Sequence, residues 1–350
     1  MSLKTGIISL AKSHGVDLVG VANVSVYTNY IQEVSARLKE TGATGRDYMF
    51  CEDAMTFFEN LSDVRRTLPS AKSIVLLAVY AFDTEGDYRA TEQKLQGKTA
   101  RIYTYYPVVR QIAEHVAAHI EGAGYRAVQG QHIPLKFAAN EIGLGLYGWN
   151  GLLLTRDFGS YVALRAVVTD AELEPDAFQP PVAPCEDCGR CLKACPTGAL
   201  YAPYKVNPAL CINPLTRKED DIPQQLRRKM GNWVCGCDIC QEVCPMNRDL
   251  KPRVPDPRAE FDPSHHASHR TLGGLARCPD LKRLMEDDRM LVMQRNAVIA
   301  LANIGTEQAW HILRHYKDVD TGKLGEYLAW AIDQIAERIG IQNKLDSGST

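Results

Sequence analysis

Cys185-Glu-Asp-Cys188-Gly-Arg-Cys191-Leu-Lys-Ala-Cys195-Pro196 is followed by a single Cys211 and then by Cys237-Asp-Ile-Cys240-Gln-Glu-Val-Cys244-Pro245. Three thiols spaced two residues apart can wrap one face of a metal centre, because a tight loop turns each sulfur inward. The fourth cysteine stands about one helical turn further on and points away. The second stretch repeats the tail of the first, with its leading cysteine displaced upstream to Cys211. Pro196 and Pro245 lack an N–H and fix the backbone as it leaves each centre.

C-x2-C-x2-C-x3-C-P is the run of bacterial two-cluster ferredoxins, in which the fourth cysteine ligates the other cluster. That rule assigns Cys185, Cys188, Cys191 and Cys244 to cluster I. Cys195, Cys211, Cys237 and Cys240 go to cluster II. Structural zinc sites use paired C-x2-C motifs without the third and fourth cysteines of this run. A disulfide framework suits a short secreted chain, and this one has 350 residues. The expectation is two [4Fe–4S] clusters. Cys235, two residues before Cys237, admits two readings: a spare thiol shielded by Trp233, or an alternative ligand.

Eight of the 11 cysteines fall in this pattern, leaving Cys51, Cys235 and Cys278. Such thiolate use belongs in a reducing compartment. A net charge of −2 gives no global basic field, so any nucleic-acid contact must come from a local patch. Arg227-Arg-Lys229 is one such patch, but Lys218-Glu-Asp-Asp221 precedes it, and a solvated mixed-charge face is the preferred reading. The longest apolar run, Ile74 to Phe82, falls short of the about 20 residues that span a bilayer. The N-terminus shows an amphipathic helix and no cleavage site. The expectation is a cytoplasmic protein with no membrane segment.

In chain order, periodicity predicts a helix over 3–14, a strand at 18–22, a helix near 30–41 closing at Gly42, and a buried strand at 73–82. A long helix over about 106–121 and a strand at 161–169 complete an α+β domain ending near residue 178. Pro175, Pro180, Pro181 and Pro184 mark a boundary there. Residues 179–258 form the double-cluster ferredoxin-like domain. The remainder, 259–350, reads as a linker and a helical tail, with helices at 280–286, 291–304, 307–316 and 323–339. Their stacked apolar faces suit paired antiparallel helices of HEAT type.

Between the long helix and the last strand runs Pro134-Leu-Lys-Phe-Ala-Ala-Asn-Glu-Ile-Gly143-Leu-Gly145-Leu-Tyr147-Gly148-Trp149-Asn150-Gly151-Leu-Leu-Leu. Glycines at this density let backbone approach a partner closely. They do not form a dinucleotide fingerprint, because an apolar strand rather than a helix follows. The segment is either a glycine-rich turn or a cofactor-contacting loop.

Taken together, the chain resembles the epoxyqueuosine reductase family, cobalamin-dependent enzymes of queuosine biosynthesis in tRNA. The resemblance is densest in Cys195-Pro-Thr-Gly-Ala-Leu200, Ala202-Pro-Tyr204, Ile222-Pro223, Met230-Gly-Asn232, Gly236-Cys237-Asp238 and Cys244-Pro-Met-Asn247. It extends upstream through Gly143-Leu-Gly145, Gly148 and Asn150, and downstream to Leu328-Ala-Trp-Ala-Ile332. It implies a nitroreductase-like cobalamin-binding domain over 1–178, related to that of reductive dehalogenases. A base-off cobalamin would then contact Gly143, Gly145, Tyr147, Gly148 and Asn150. No Asp-x-His-x-x-Gly segment supplies a histidine ligand.

The family carries an aspartate, read as the proton donor, shortly before Gly-Leu-Gly. Here the stretch is Gln129-Gly-Gln-His132-Ile-Pro134, without a carboxylate. His132 and Tyr106 are the candidate donors, with Tyr103 and Tyr105 beside them; reductive dehalogenases use a tyrosine for this step. The resemblance implies an oxidoreductase fed by an external low-potential electron donor, with tRNA as substrate. A small-molecule substrate, or electron transfer that reactivates a partner's corrinoid, are the rival readings.

Overall fold

Ser73–Tyr80 is buried along its whole length, on both faces. Side chains alternate across a strand, and each set meets a different core. Val75, Leu77 and Val79 pack with helices Leu3–Ser13 and Arg101–Gly122. Ile74, Leu76 and Ala78 pack with Ala138 and Ala139 of helix Leu135–Glu141. The strand lies inside a four-stranded sheet whose order is Leu18–Asn23, Ser73–Tyr80, Val162–Thr169, Ala127–Gln129, antiparallel at each step. Helices cover both faces of this mixed α and β layer. A continuous apolar run from 74 to 79 follows from that double cover.

The structure is a computed structural model and describes residues 2–24, 27–44, 47, 62–82, 92–130, 133–179, 185, 187–253, 280–285, 291–316 and 324–341. Contacts divide the chain into two compact units. One comprises Met1–Thr84, Arg101–Cys211 and Asp238–Leu275, and the other Glu85–Ala100, Ile212–Cys237 and Ala276–Thr350. Boundaries drawn by motif at 178 and 258 thus differ from the grouping by contact. Residues 212–237 pack with the C-terminal helices, because Asn296, Arg295 and Asn303 all reach their backbone.

In the second unit, helix Leu291–Ile304 is buried nearly all round. Its Asn296 Nδ2 donates to the carbonyls of Thr216 (2.6 Å) and Val234 (2.8 Å). Arg295 donates to the carbonyls of Leu215, Lys218 and Asp220 at 2.8–3.0 Å. Asn303 Nδ2 holds those of Arg227 and Gly231, both at 2.8 Å. These polar side chains satisfy carbonyls that would otherwise be buried without partners. Helices Glu307–His315 and Leu324–Ile339 pack on the same core. Trp233–Cys235 pairs in parallel with Lys98–Thr99.

Two expectations need correction. The long helix begins at Arg101, five residues earlier than predicted, and carries Pro107 within it. A proline inside a helix ordinarily marks a break, but here Asp238 caps the first turn: its Oδ2 accepts from the Arg101 N–H at 2.9 Å. Arg227, read as part of a solvated charged face, is buried. Its guanidinium lies 3.9 Å from the Tyr327 ring centroid and 5.4 Å from that of Trp330, and its Nε donates to the Ile222 carbonyl at 2.8 Å. Arg228 and Lys229 remain exposed. Among the described residues, no helix is long and apolar enough to cross a membrane.

Candidate metal centre

The cysteine loop turns on left-handed backbone at Asp187 (φ 56°) and Gly189 (φ 58°), the latter leading into helix Arg190–Ala194. Gly189 takes this conformation without the cost a side chain would add. Cys191 stands on that helix and Cys195 at its C-terminal end. Cys240 lies in helix Ile239–Glu242, and Cys244 leads a short 3-10 turn, Pro245–Asn247. Cys185, Cys188, Cys191 and Cys244 all line one pocket. Gly148, Trp149 and Asn150 form part of the same wall.

Burial raises the thiol pKa values of Cys191 and Cys244. Backbone N–H groups oppose this: those of Leu192 and Cys191 point at the Cys191 sulfur, and those of Met246 and Asn247 at the Cys244 sulfur. Amide bonds of this kind hold thiolates and tune cluster potentials. Cys240 is pushed well up by burial, with Cys211, Asp238, Cys191 and Cys195 adding repulsion. The thiols of Cys211, Cys191 and Cys195 therefore stand within electrostatic reach of that of Cys240. Cys237 directly precedes Asp238 in the chain. Among the described residues, no three His, Cys, Asp or Glu side chains converge as they would on a single metal ion. Thiols ringing a pocket are the arrangement a larger centre needs, so the residues fit a cubane.

A buried polar web surrounds the backbone that carries Cys240 and Cys244. Asp238, fully buried, accepts from Arg101 Nη1 (3.2 Å) and from Gln241 Nε2 (2.8 Å). Ser160 Oγ donates to Gln241 Oε1 at 2.9 Å. Asn247 Nδ2 donates to Ser160 Oγ (2.9 Å) and the Gln241 carbonyl (2.8 Å), and its Oδ1 accepts from the Ser160 N–H at 2.9 Å. Arg101 stacks over Phe82 and Tyr161 at 5.1 and 5.3 Å. Sequence reading named none of these residues as site residues. The signal available was Asp238 and Asn247 lying within the cysteine motif itself.

The glycine segment serves the protein's own packing first. Gly143 has φ +72°, and a Cβ there would stand 2.1 Å from the Phe178 carbonyl oxygen. At Gly145 a Cβ would meet the Leu154 carbonyl oxygen at 2.7 Å, where Leu146–Tyr147 pairs with Leu153–Leu154. Gly148 and Asn150 do face the cysteine pocket. Asn150 Oδ1 also accepts from the Leu152 N–H at 3.2 Å, closing an Asx turn. Tyr147 is half-buried, and burial pushes its phenol pKa up.

Of the tyrosines at the head of the long helix, Tyr103 and Tyr105 are buried, while Tyr106 is 37% exposed and edge-on to Tyr103 at 5.4 Å. His132, Cys51 and Cys278 lie outside the described residues. Cys235 is a fully buried strand residue whose thiol pKa is pushed up to about 12 by burial.

Paired cysteine groups set in a mixed α and β chain define an iron–sulfur protein of the double-cluster class. Accordingly, residues 184–247 match the family described as a 4Fe-4S double cluster binding domain. Beyond that module, the chain is 29% identical over 354 residues to the epoxyqueuosine reductase of Staphylococcus aureus, covering 95% of this chain and 89% of that protein. It is 30% identical over 283 residues to that of Cellulophaga algicola, covering 77% and 86%. The solved Bacillus subtilis epoxyqueuosine reductase has 27% identity and a TM-score of 0.78, over 99% of this chain and 95% of that one. An epoxyqueuosine reductase crystallised with an epoxyqueuosine-modified tRNA-Tyr stem loop shows 27% identity and a TM-score of 0.76, over 95% and 90%. This chain belongs to the epoxyqueuosine reductase family.

Proposed function

We propose that the protein reduces epoxyqueuosine in tRNA in the cytoplasm, with electrons entering from an external low-potential donor. The observation that carries this reading is the ring of Cys185, Cys188, Cys191 and Cys244 around one pocket whose wall includes Gly148, Trp149 and Asn150. A redox centre there sits directly against the segment that the family resemblance assigns to cobalamin. Cluster I takes these four cysteines; cluster II takes Cys195, Cys211 and Cys240, with Cys237 as the fourth ligand by spacing. Such clusters relay single electrons. A base-off cobalamin beside Tyr147–Asn150 would supply the reductive chemistry at the substrate.

In this reading residues 1–178 form a nitroreductase-like cobalamin domain, 179–258 the cluster domain and 259–350 a HEAT-like tail. The packing of the three C-terminal helices on one another supports the last assignment. Tyr106 and His132 are the proton-donor candidates. Tyr106 has the exposure a donor needs, and Arg165 lies close enough to interact with its phenol.

Anaerobically purified protein should hold about eight irons, as two cubanes require, show corrin absorbance, and turn over epoxyqueuosine-containing tRNA. No turnover with reduced clusters and bound cobalamin overturns the substrate assignment. The stretch from Gln129 to Pro134 lacks a carboxylate, and this favours one alternative, a small-molecule electrophile as substrate. Turnover of an organohalide, with none of the modified tRNA, would establish it.

A further inference from the structure

The Pro203-Tyr204 turn carries a ring that the fold does not use. It joins strand Leu200–Ala202 to strand Lys205–Val206, with Ala202 opposite Lys205. Proline fixes the first corner, and Tyr204 takes the second with φ at 64°. Proline followed by a left-handed residue is the pattern of a type II turn, whose second corner ordinarily falls to glycine or asparagine. A bulky side chain is strained there, and a glycine would not be. Packing does not offset that strain. Tyr204 is 43% exposed, and among the described residues its side chain makes no hydrogen bond or ring contact. Tyr201, the other exposed ring of the hairpin, is by contrast hydrogen-bonded to Glu40, which also holds the Lys205 ammonium at 2.8 Å. The turn is moored beside the cysteine pocket. The Tyr204 N–H donates to the Trp149 carbonyl at 3.0 Å, a bond that any residue but proline would make equally. Val206 packs against Gly151, where an added Cβ would stand 3.1 Å from its Cγ2. Trp149, with Gly148 and Asn150, lines the pocket of Cys185, Cys188, Cys191 and Cys244.

We propose that Tyr204 is a stacking residue for the RNA substrate: its ring receives the face of an unpaired base in the tRNA stem loop that carries epoxyqueuosine. Strained backbone clusters at functional sites, and here the side chain that causes the strain is the part left exposed. Aromatic rings that stack unpaired bases are a common means of holding single-stranded loops of RNA. The neighbouring charges fit stacking better than phosphate binding, because Glu40 occupies Lys205, the cation next in the chain. The inference rests on the tRNA reading above and adds one contact to it.

The test is fluorescence anisotropy of a labelled, epoxyqueuosine-modified tRNA-Tyr stem loop with the cluster-loaded full-length protein, as wild type, Tyr204→Gly and Tyr204→Phe. Melting temperature is measured for each. Tyr204→Gly relieves the turn, so it should melt no lower than wild type, yet bind the stem loop about tenfold more weakly. Tyr204→Phe keeps the ring face and should stay within about twofold of wild type. Stacking releases no counterions, so the ratio of Tyr204→Gly to wild type should hold when the salt concentration is doubled. Wild-type binding that Tyr204→Gly leaves unchanged overturns the inference and leaves the tRNA reading standing. Unchanged binding together with slower reduction of the clusters by a reduced flavodoxin also overturns it, and puts the ring in the electron donor's interface. A lower melting temperature in Tyr204→Gly means that the ring serves the fold, and overturns it too. A ratio that shrinks with salt marks a charge effect and does the same. No binding of the stem loop by wild type overturns the tRNA reading, and the inference with it.

Discussion

Removing the Asp238 carboxylate tests the construction of the metal centre most sharply. Asp238→Ala strips the N-terminal cap from helix Arg101–Gly122 and takes the partner from a guanidinium whose side chain is only 12% exposed. Breaking a buried pair from one side costs about 3–5 kcal/mol, chiefly because the remaining charge is stranded. Here Glu242 stays 3.6 Å from Arg101, and the rings of Phe82 and Tyr161 lie beneath it. The lower end, about 3 kcal/mol, is therefore expected. At about 1.4 kcal/mol per factor of ten, the population of opened protein rises about a hundredfold. Iron transfer to an excess of chelator reads that population when reclosing is fast. Asp238→Ala should thus release iron about a hundredfold faster than wild type. Arg101→Met should release it similarly fast, and the double variant Arg101→Met/Asp238→Ala should fall well short of the sum of the two single effects. Single variants within threefold of wild type, or a strictly additive double variant, refute the reasoning.

Replacing Cys185 and Cys244 together with serine should halve the iron from about eight to about four, by metal analysis of oxygen-free protein. Gly143→Ala forces a Cβ against the Phe178 carbonyl at a left-handed position. It should cost well over about 1 kcal/mol, read as a fall of several degrees in melting temperature. Arg295→Met leaves the carbonyls of Leu215, Lys218 and Asp220 without this donor. At about 1–3 kcal/mol for each stranded group, the second unit should become the first target of limited proteolysis. Tyr106→Phe removes the exposed phenol while keeping the ring, and should lower turnover of modified tRNA by about 10²-fold or more if Tyr106 is the acid, with iron content unchanged.

Much of this was written in the chain. Cysteine spacing is legible because metal ligation tolerates few loop lengths, and the pocket gathers the four cysteines that spacing assigns to one centre. The apolar run from Ile74 to Val79 announced a strand covered on both faces, and the C-terminal helices followed from their period. Long-range partnerships left no local mark. Arg101 and Asp238 are 137 positions apart, so the helix start past which Pro107 displaced the prediction was set by a residue no window contains. Asn247 and Ser160, 87 apart, are similarly invisible. The interleaving of the two units escaped notice for the same reason: residues 212–237 pair with helices that periodicity could find but could not dock.

Arg253 bears on how such a protein is made. Its backbone N–H donates to the Phe82 carbonyl at 2.6 Å, and its guanidinium reaches Asp17 at 2.6 Å and the Gly15 carbonyl at 2.9 Å. The end of the first helix is thus tied down by a residue 236 positions later. At roughly 5–20 residues per second, the ribosome delivers that clasp about 10 to 50 seconds after Asp17 has been polymerised. The cysteines from Cys185 to Cys244 all precede that clasp in the chain. The N-terminal helix is therefore among the first parts of the chain to be made and among the last to receive all of its partners.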